Sequence, residues 1–264
     1  MAISRSDSVW VSRHGLYCSP RTILSVGEMT NNQEQSGESI RKTLNELMRS
    51  NRMDDMIPMR AARVFYDRWA VRSWHRRGEP VPPPYAVKRR TLREYAVRFG
   101  LRMLVETGTF YGDTSFALRN DFERIVSIEL DRALYERAKE RLKPYKQIAV
   151  LQGDSGKIIA NVMKEVSQAV LFWLDAHYSG GITARGELDS PIFAELDVIL
   201  THPIKNHVIL IDDARDFTGT GGYPTVLQLR DYLMEKRPDL NLEVRHDVIR
   251  IHRLRTLPPQ SAAR

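Results

Sequence analysis

Glu106, Gly108 and Gly112 follow the apolar pair Leu104–Val105 at the spacing E-x-G-x-x-x-G, just before Asp113-Thr114-Ser115 opens a helical segment. Glycines at these two places let the backbone turn sharply off a strand and let a ligand lie against the main chain with no Cβ in the way. A glycine loop feeding a helix N-terminus suits a nucleotide-type ligand at the mouth of a parallel sheet. The third glycine of the dinucleotide pattern G-x-G-x-x-G is absent. A second apolar run from Arg124 ends on Glu129, about twenty residues past Gly108, the separation at which such folds bond a ribose diol, so Glu129 is the candidate ribose ligand. A third run, Ile148 to Gln152, delivers Asp154 and Ser155 to the same edge. The hydroxyls of Thr109, Thr114 and Ser115 can donate to a bound carboxylate or cap the helix, and both roles suit them equally.

These groups must be positioned by an alternation of strands and helices. Leu134, Ala138 and Leu142 align on one face of a helix spanning about 131–142, and another helix covers about 155–165. The run Ala169 to Leu174 is apolar throughout, as a strand covered on both faces should be, and it ends on Asp175. A glycine-containing loop, 179–186, has the composition of a lid. Ser190 as N-cap and Pro191 at the first helical position then open a helix carrying Phe193, Leu196 and Ile199. The run His207 to Ile211 ends on Asp212 and Asp213; a helix over about 223–236 and strands at 241–245 and 248–254 close the pattern. The order predicts an α/β protein with a doubly wound sheet.

At 264 residues and 42% hydrophobic content, the chain can bury one substantial core and a smaller appendage. One cysteine, Cys18, excludes an internal disulfide framework and a cysteine-built zinc site. No apolar run reaches membrane-spanning length, and a cytoplasmic location is expected. Residues 1–51 read as a disordered tail, although their early arginines and serines also match transit-peptide composition. Residues 52–100 form a basic helical cap and linker, 101–256 the sheet domain, and 257–264 a tail. Between 52 and 102, thirteen Lys or Arg stand against five Asp or Glu, an excess of eight that accounts for the formal charge of +7. Phe65, Tyr66, Trp69 and Trp74 interleave with arginines there, as in surfaces that grip nucleic acid or an anionic membrane. The favoured reading is instead a cap helix whose aromatics pack on the sheet domain and whose arginines face water. A second helix, about 88–99, leads into the first strand.

The E-x-G-x-x-x-G loop resembles motif I of class I S-adenosylmethionine (SAM) dependent methyltransferases. That resemblance extends over about 104–254 and implies a Rossmann-like seven-stranded sheet with its last strand antiparallel. It places Glu106, Gly108, Thr109, Gly112, Thr114 and Ser115 around the methionine half of SAM, Glu129 at the ribose, and Asp154 and Ser155 at the adenine. Asp175-Ala176-His177-Tyr178 and Asp212-Asp213 resemble the metal site of the magnesium-dependent sugar O-methyltransferases of the macrocin type, an arrangement similar to that of the cephalosporin hydroxylase family. The resemblance implies that Asp175, Asp212 and Asp213 bind Mg²⁺ or another divalent cation. Three adjacent carboxylates would repel one another without a cation, and a hard dication raises the acidity of a hydroxyl beside it. His177 stands where those enzymes carry an aspartate; base, metal ligand and structural residue are its roles in descending order, and Asp175 joins it as catalytic. The implied activity is O-methylation of a small polar or sugar-containing molecule such as a glycoside. Relatives that assemble through N-terminal helices imply a homo-oligomer. The other reading is a SAM-binding module docked on nucleic acid or membrane, or a nucleotide methyltransferase.

Overall fold

The computed structural model describes residues 57–175 and 191–254. Expectations for the tails 1–51 and 257–264, His177, the loop 179–186 and Ser190 lie outside the described residues. Helix α1 spans Ile57–Arg76 and α2 Tyr85–Phe99, the latter starting three residues before the expected 88. Then follow β1 (Met103–Thr107), α3 (Asp113–Leu118), β2 (Arg124–Glu129), α4 (Arg132–Leu142), β3 (Ile148–Gln152), α5 (Ser155–Lys164) and β4 (Leu171–Leu174). After the second described segment begins come α6 (Ile192–Thr201), β5 (Val208–Ile211), a 3₁₀ turn (Ala214–Asp216), α7 (Val226–Lys236), β6 (Leu240–Arg245) and β7 (Val248–Arg253). No helix among the described residues is long and apolar enough to cross a membrane.

The seven strands form one sheet in the order β3-β2-β1-β4-β5-β7-β6. β1 to β5 pair in parallel, with Val105 opposite both Val126 and Phe172; β7 runs antiparallel to β5 and β6. The central strands β1, β4 and β5 are buried at every position, as the unbroken apolar runs of β4 and β5 require; in β1 the polar Glu106 and Thr107 are buried too.

Alternate residues feed two cores. Val105, Val126, Phe172, Leu174, Ile209 and Ile211 meet one layer, which includes Ile159, Leu196 and Leu229 of α5, α6 and α7. Leu104, Ile125, Leu171, Trp173, Val208 and Leu210 meet the other, which contains Leu92, Tyr95 and Ala96 of α2. Within the basic segment, α2 thus contributes to the core. Only Gly100, Leu101 and Arg102 separate α2 from the start of β1, so α2 runs against the parallel strands and its first turn lies at their C-terminal edge.

Helix α1 departs from the favoured expectation. Trp74 is fully buried, donates through Nε1 to Pro80 O at 2.7 Å and meets the ring of His246 edge-on at 5.0 Å. Phe65, Tyr66 and Trp69 stand in solvent, with Phe65 76% exposed. The helix repeats its aromatics without one continuous apolar stripe, so one face cannot take all four into the core. Phe193 of α6 is likewise on the surface, against Tyr232 at 4.8 Å, whereas Leu196 and Ile199 are buried. Pro191 occupies the N-cap place of α6, one residue before the position expected for it.

Candidate functional site: a glycine loop and an acid cluster on one sheet edge

β1 leaves the sheet through Gly108 and Gly112, both with positive φ, and Gly112 is the N-cap of α3. A Cβ at Gly112 would lie 2.9 Å from Leu142 Cδ1, so the loop can pass this close to α4 only without a side chain. Phe110, between the glycines, is itself left-handed at φ 51°, and its N–H donates to Glu129 Oε2 at 2.6 Å. Glu129 Oε1 accepts from Asp131 N at 2.9 Å. The acid at the end of β2 thus braces the loop after β1, with burial raising its pKa.

Glu106 is buried beneath this loop and accepts from Ser115 Oγ at 2.6 Å and Ser127 Oγ at 2.7 Å, both at Oε2. Burial pushes it up to about 7, although those hydroxyls and that of Thr114 pull the other way. Thr109 shares a 2.7 Å bond with Ser127. Asp154 caps α5 by accepting from Gly156 N at 2.9 Å, and Ser155 is buried beside Glu195 of α6. Glu106, Ser115, Ser127 and Thr109 thus hold one another beneath the glycine loop, while Asp154 is occupied at the start of α5.

Farther along the same edge, Asp175, Asp212 and Asp213 each present a carboxylate oxygen within 4.8 Å of the others. Asp175 follows β4 and takes its N–H to Thr107 O at 3.0 Å; Asp212 follows β5, bonding Leu174 O at 3.0 Å. Asp213 sits in the left-handed region at φ 53°, an uncommon conformation for a residue with a Cβ, and this turns its side chain alongside that of Asp212. The β6–β7 hairpin buttresses that turn. Its two connecting residues, His246 and Asp247, both have positive φ, and Asp247 accepts from Ala214 N and Arg215 N at 2.9 Å.

Two cations that the pattern of acids did not reveal enter here. Lys88 Nζ, from the first turn of α2, lies 2.6 Å from Asp212 Oδ2 and 2.9 Å from Asp213 Oδ1. Arg215 Nη1 lies 2.8 Å from Asp213 Oδ1 and also pairs with Asp247. The expected repulsion is thus met in part by the protein's own cations, a buried ammonium and a shared guanidinium. Burial, then repulsion from Asp212, raises Asp175 well above its ordinary value, so a proton there offsets a further part of the charge in the ion-free cluster. Burial pushes Asp212 up to about 6 against the pull of Lys88. For Lys88 itself, the two aspartates outweigh burial and raise its pKa. Three clustered carboxylates still offer the hard oxygen donors that fit a divalent cation. Arg215 is thus engaged by Asp213 and Asp247. The one signal that could have found Lys88 is its place in the first helical turn before β1.

The strand order, the antiparallel β7 and the glycine loop after β1 define the class I SAM-dependent methyltransferase fold. No protein-family model matches the chain. Among solved structures it is similar to an O-methyltransferase from Bacillus cereus in complex with S-adenosylhomocysteine (SAH): TM-score 0.50 and 15% identity, over 76% of this chain and 94% of that one. It is also similar to the O-methyltransferase TomG from Streptomyces achromogenes, involved in tomaymycin synthesis and in complex with SAM, at TM-score 0.49 and 18% identity over 71% and 88% of the two chains. Among curated proteins, the ribosomal RNA small subunit methyltransferase A of Caldanaerobacter subterraneus subsp. tengcongensis is 20% identical over 131 residues, which are 43% of this chain and 44% of that protein. The chain thus spans less than half the length of this curated relative.

Proposed function

We propose that this protein is a SAM-dependent O-methyltransferase whose acid cluster holds a divalent cation beside a hydroxyl of a small polar or sugar-containing substrate. The observation that carries the reading is the shared edge: the glycine loop with Glu129, and Asp175, Asp212 and Asp213, follow strands β1, β2, β4 and β5, which are neighbours in one parallel sheet. Gly108 and Gly112 give the donor's methionine half access to the main chain, Glu129 takes the ribose, and Asp154 and Ser155 border the adenine. The cation, when bound, supplies acidity to the substrate hydroxyl. His177, two residues past Asp175, receives that proton. The substrate oxygen then bonds to the methyl carbon as the carbon–sulfur bond breaks, leaving a methyl ether and SAH. Placing the oxygen in line with that bond is the main task of the two halves of the edge.

Titration of the full chain with SAM, with and without Mg²⁺, tests the reading, followed by labelled methyl transfer to a panel of glycosides. Binding of SAM and Mg²⁺-dependent transfer, with transfer but not SAM binding lost in Asp213→Ala, is the expected result. Absence of SAM binding would overturn it. A second reading, nucleic-acid docking through α1, is favoured by the exposure of Phe65, Tyr66 and Trp69 beside the exposed Arg68 and Arg72. It predicts RNA binding that weakens steeply with salt and is lost on Trp69→Ser.

A further inference from the structure

Lys88 is not part of the strand–helix pattern that builds the sheet, yet its side chain is only 8% exposed and its ammonium touches two of the three acids. The arrangement leaves those acids few free oxygens. Asp212 Oδ2 is taken by Lys88, Asp212 Oδ1 accepts from Asp213 N at 2.9 Å, and Asp213 Oδ1 is shared by Lys88 and Arg215. An ion bonding Asp212 Oδ2 or Asp213 Oδ1 therefore meets an oxygen that already carries a positive partner. The ammonium already lies over the ring of Tyr85, three residues earlier and itself 59% exposed, at 5.5 Å, so on leaving the acids it can keep that contact. A lysine stem has four rotatable bonds, so moving its head costs little beyond the two hydrogen bonds it leaves.

We propose that Lys88 is the resident counter-ion of the acid cluster and that a divalent cation reaches Asp212 and Asp213 only by displacing its ammonium, so that Lys88 sets the protein's affinity for the ion. The inference rests on the placement of a cation proposed above. It makes Lys88 a positioning residue: ion-free protein keeps the carboxylates gathered around the lysine, and ion binding transfers them to the dication and frees the lysine toward Tyr85. An internal competitor of this kind keeps the acids close together without a metal and makes the ion exchangeable.

Calorimetric titration of Mn²⁺ into the full chain with SAH present, for the wild type, Lys88→Met and Lys88→Arg, tests the competition. Methionine keeps much of the stem's volume and removes the charge; arginine keeps the charge. Lys88→Met is expected to bind Mn²⁺ at least about tenfold more tightly than the wild type, while Lys88→Arg stays nearer the wild type. A purely structural role would give the opposite direction, because a loosened cluster binds an ion more weakly. Equal or weaker binding by Lys88→Met, with its fold retained by circular dichroism, overturns the proposal. Mn²⁺ binding to none of the three also overturns it and removes the cation from the proposed function. The SAH titration of the same samples then reports separately whether the methyl-donor reading stands.

Discussion

Glu106 allows a quantitative test of how the glycine loop is held. Its carboxyl is buried and rises from an ordinary 4.5 to about 7, burial outweighing the serine hydroxyls that favour the charged form. The sign follows directly: below 4.5 the group is protonated in both folded and unfolded chains and contributes no pH dependence. Between 4.5 and 7 the unfolded chain releases the proton while the folded chain keeps it, so stability falls as pH rises and levels off above the folded value. A shift of about 2.5 units corresponds to about 3 kcal/mol in full, of which roughly 2 to 3 kcal/mol develops between about pH 5 and pH 8. Glu106→Gln removes this term and keeps both serine bonds if its carbonyl oxygen takes the place of Oε2, which accepts them both. Glu195, also raised to about 7 by burial, destabilises over the same window in both proteins, so the informative quantity is the difference between them. Urea unfolding at the two pH values should give a variant that gains on the wild type by about 2 to 3 kcal/mol on going to the higher pH. A difference that stays constant within about 0.5 kcal/mol would refute the claim that burial governs this carboxyl.

Gly112→Ala forces a Cβ into the left-handed region and onto Leu142 Cδ1, and chemical denaturation should register a loss of about 2 kcal/mol. In a Leu142→Ala background the same change should cost about half as much, because the clash is gone and only the backbone strain is left. Lys88→Met in the presence of a chelator leaves Asp212 buried without its partner. At about 3 kcal/mol this lowers the melting temperature by roughly 6 to 12 °C, read by circular dichroism, and Mn²⁺ should restore most of it. Trp74→Phe removes the 2.7 Å bond to Pro80 O and should cost about 1 kcal/mol in the same melting experiment, with SAM affinity unchanged.

The sheet was legible because its signals are local. Leu171 to Leu174 and Val208 to Ile211 are unbroken apolar runs, and each is a strand buried at every position. Gly112 and Asp131 mark helix starts by turn and cap chemistry that acts within three residues, whereas α7 begins at Val226 behind the Thr225 cap, three residues past the expected 223. What escaped depends on distance along the chain. Lys88 meets Asp212 across 124 residues, and a place in the first turn of a helix says nothing by itself of a partner so far along the chain. The aromatics of α1 carry the composition of a core helix, but their spacing winds them around the axis, and only Trp74 finds the His246 hairpin to pack on. Glu195 did leave a trace, as an acid between Ile192 and Leu196 on the apolar side of α6, where it is buried.

The placement of Lys88 on α2 means that the chemistry of the sheet edge is not portable with the sheet. Excising the strand–helix repeat at residue 101 would discard both a wall of the interior and the amine that gathers the acids. A graft of the helical pair onto another scaffold would carry an unmatched buried cation with it. Any dissection or recombination of this chain should therefore treat 57–254 as one indivisible cassette, with its earliest helices counted as part of the working edge.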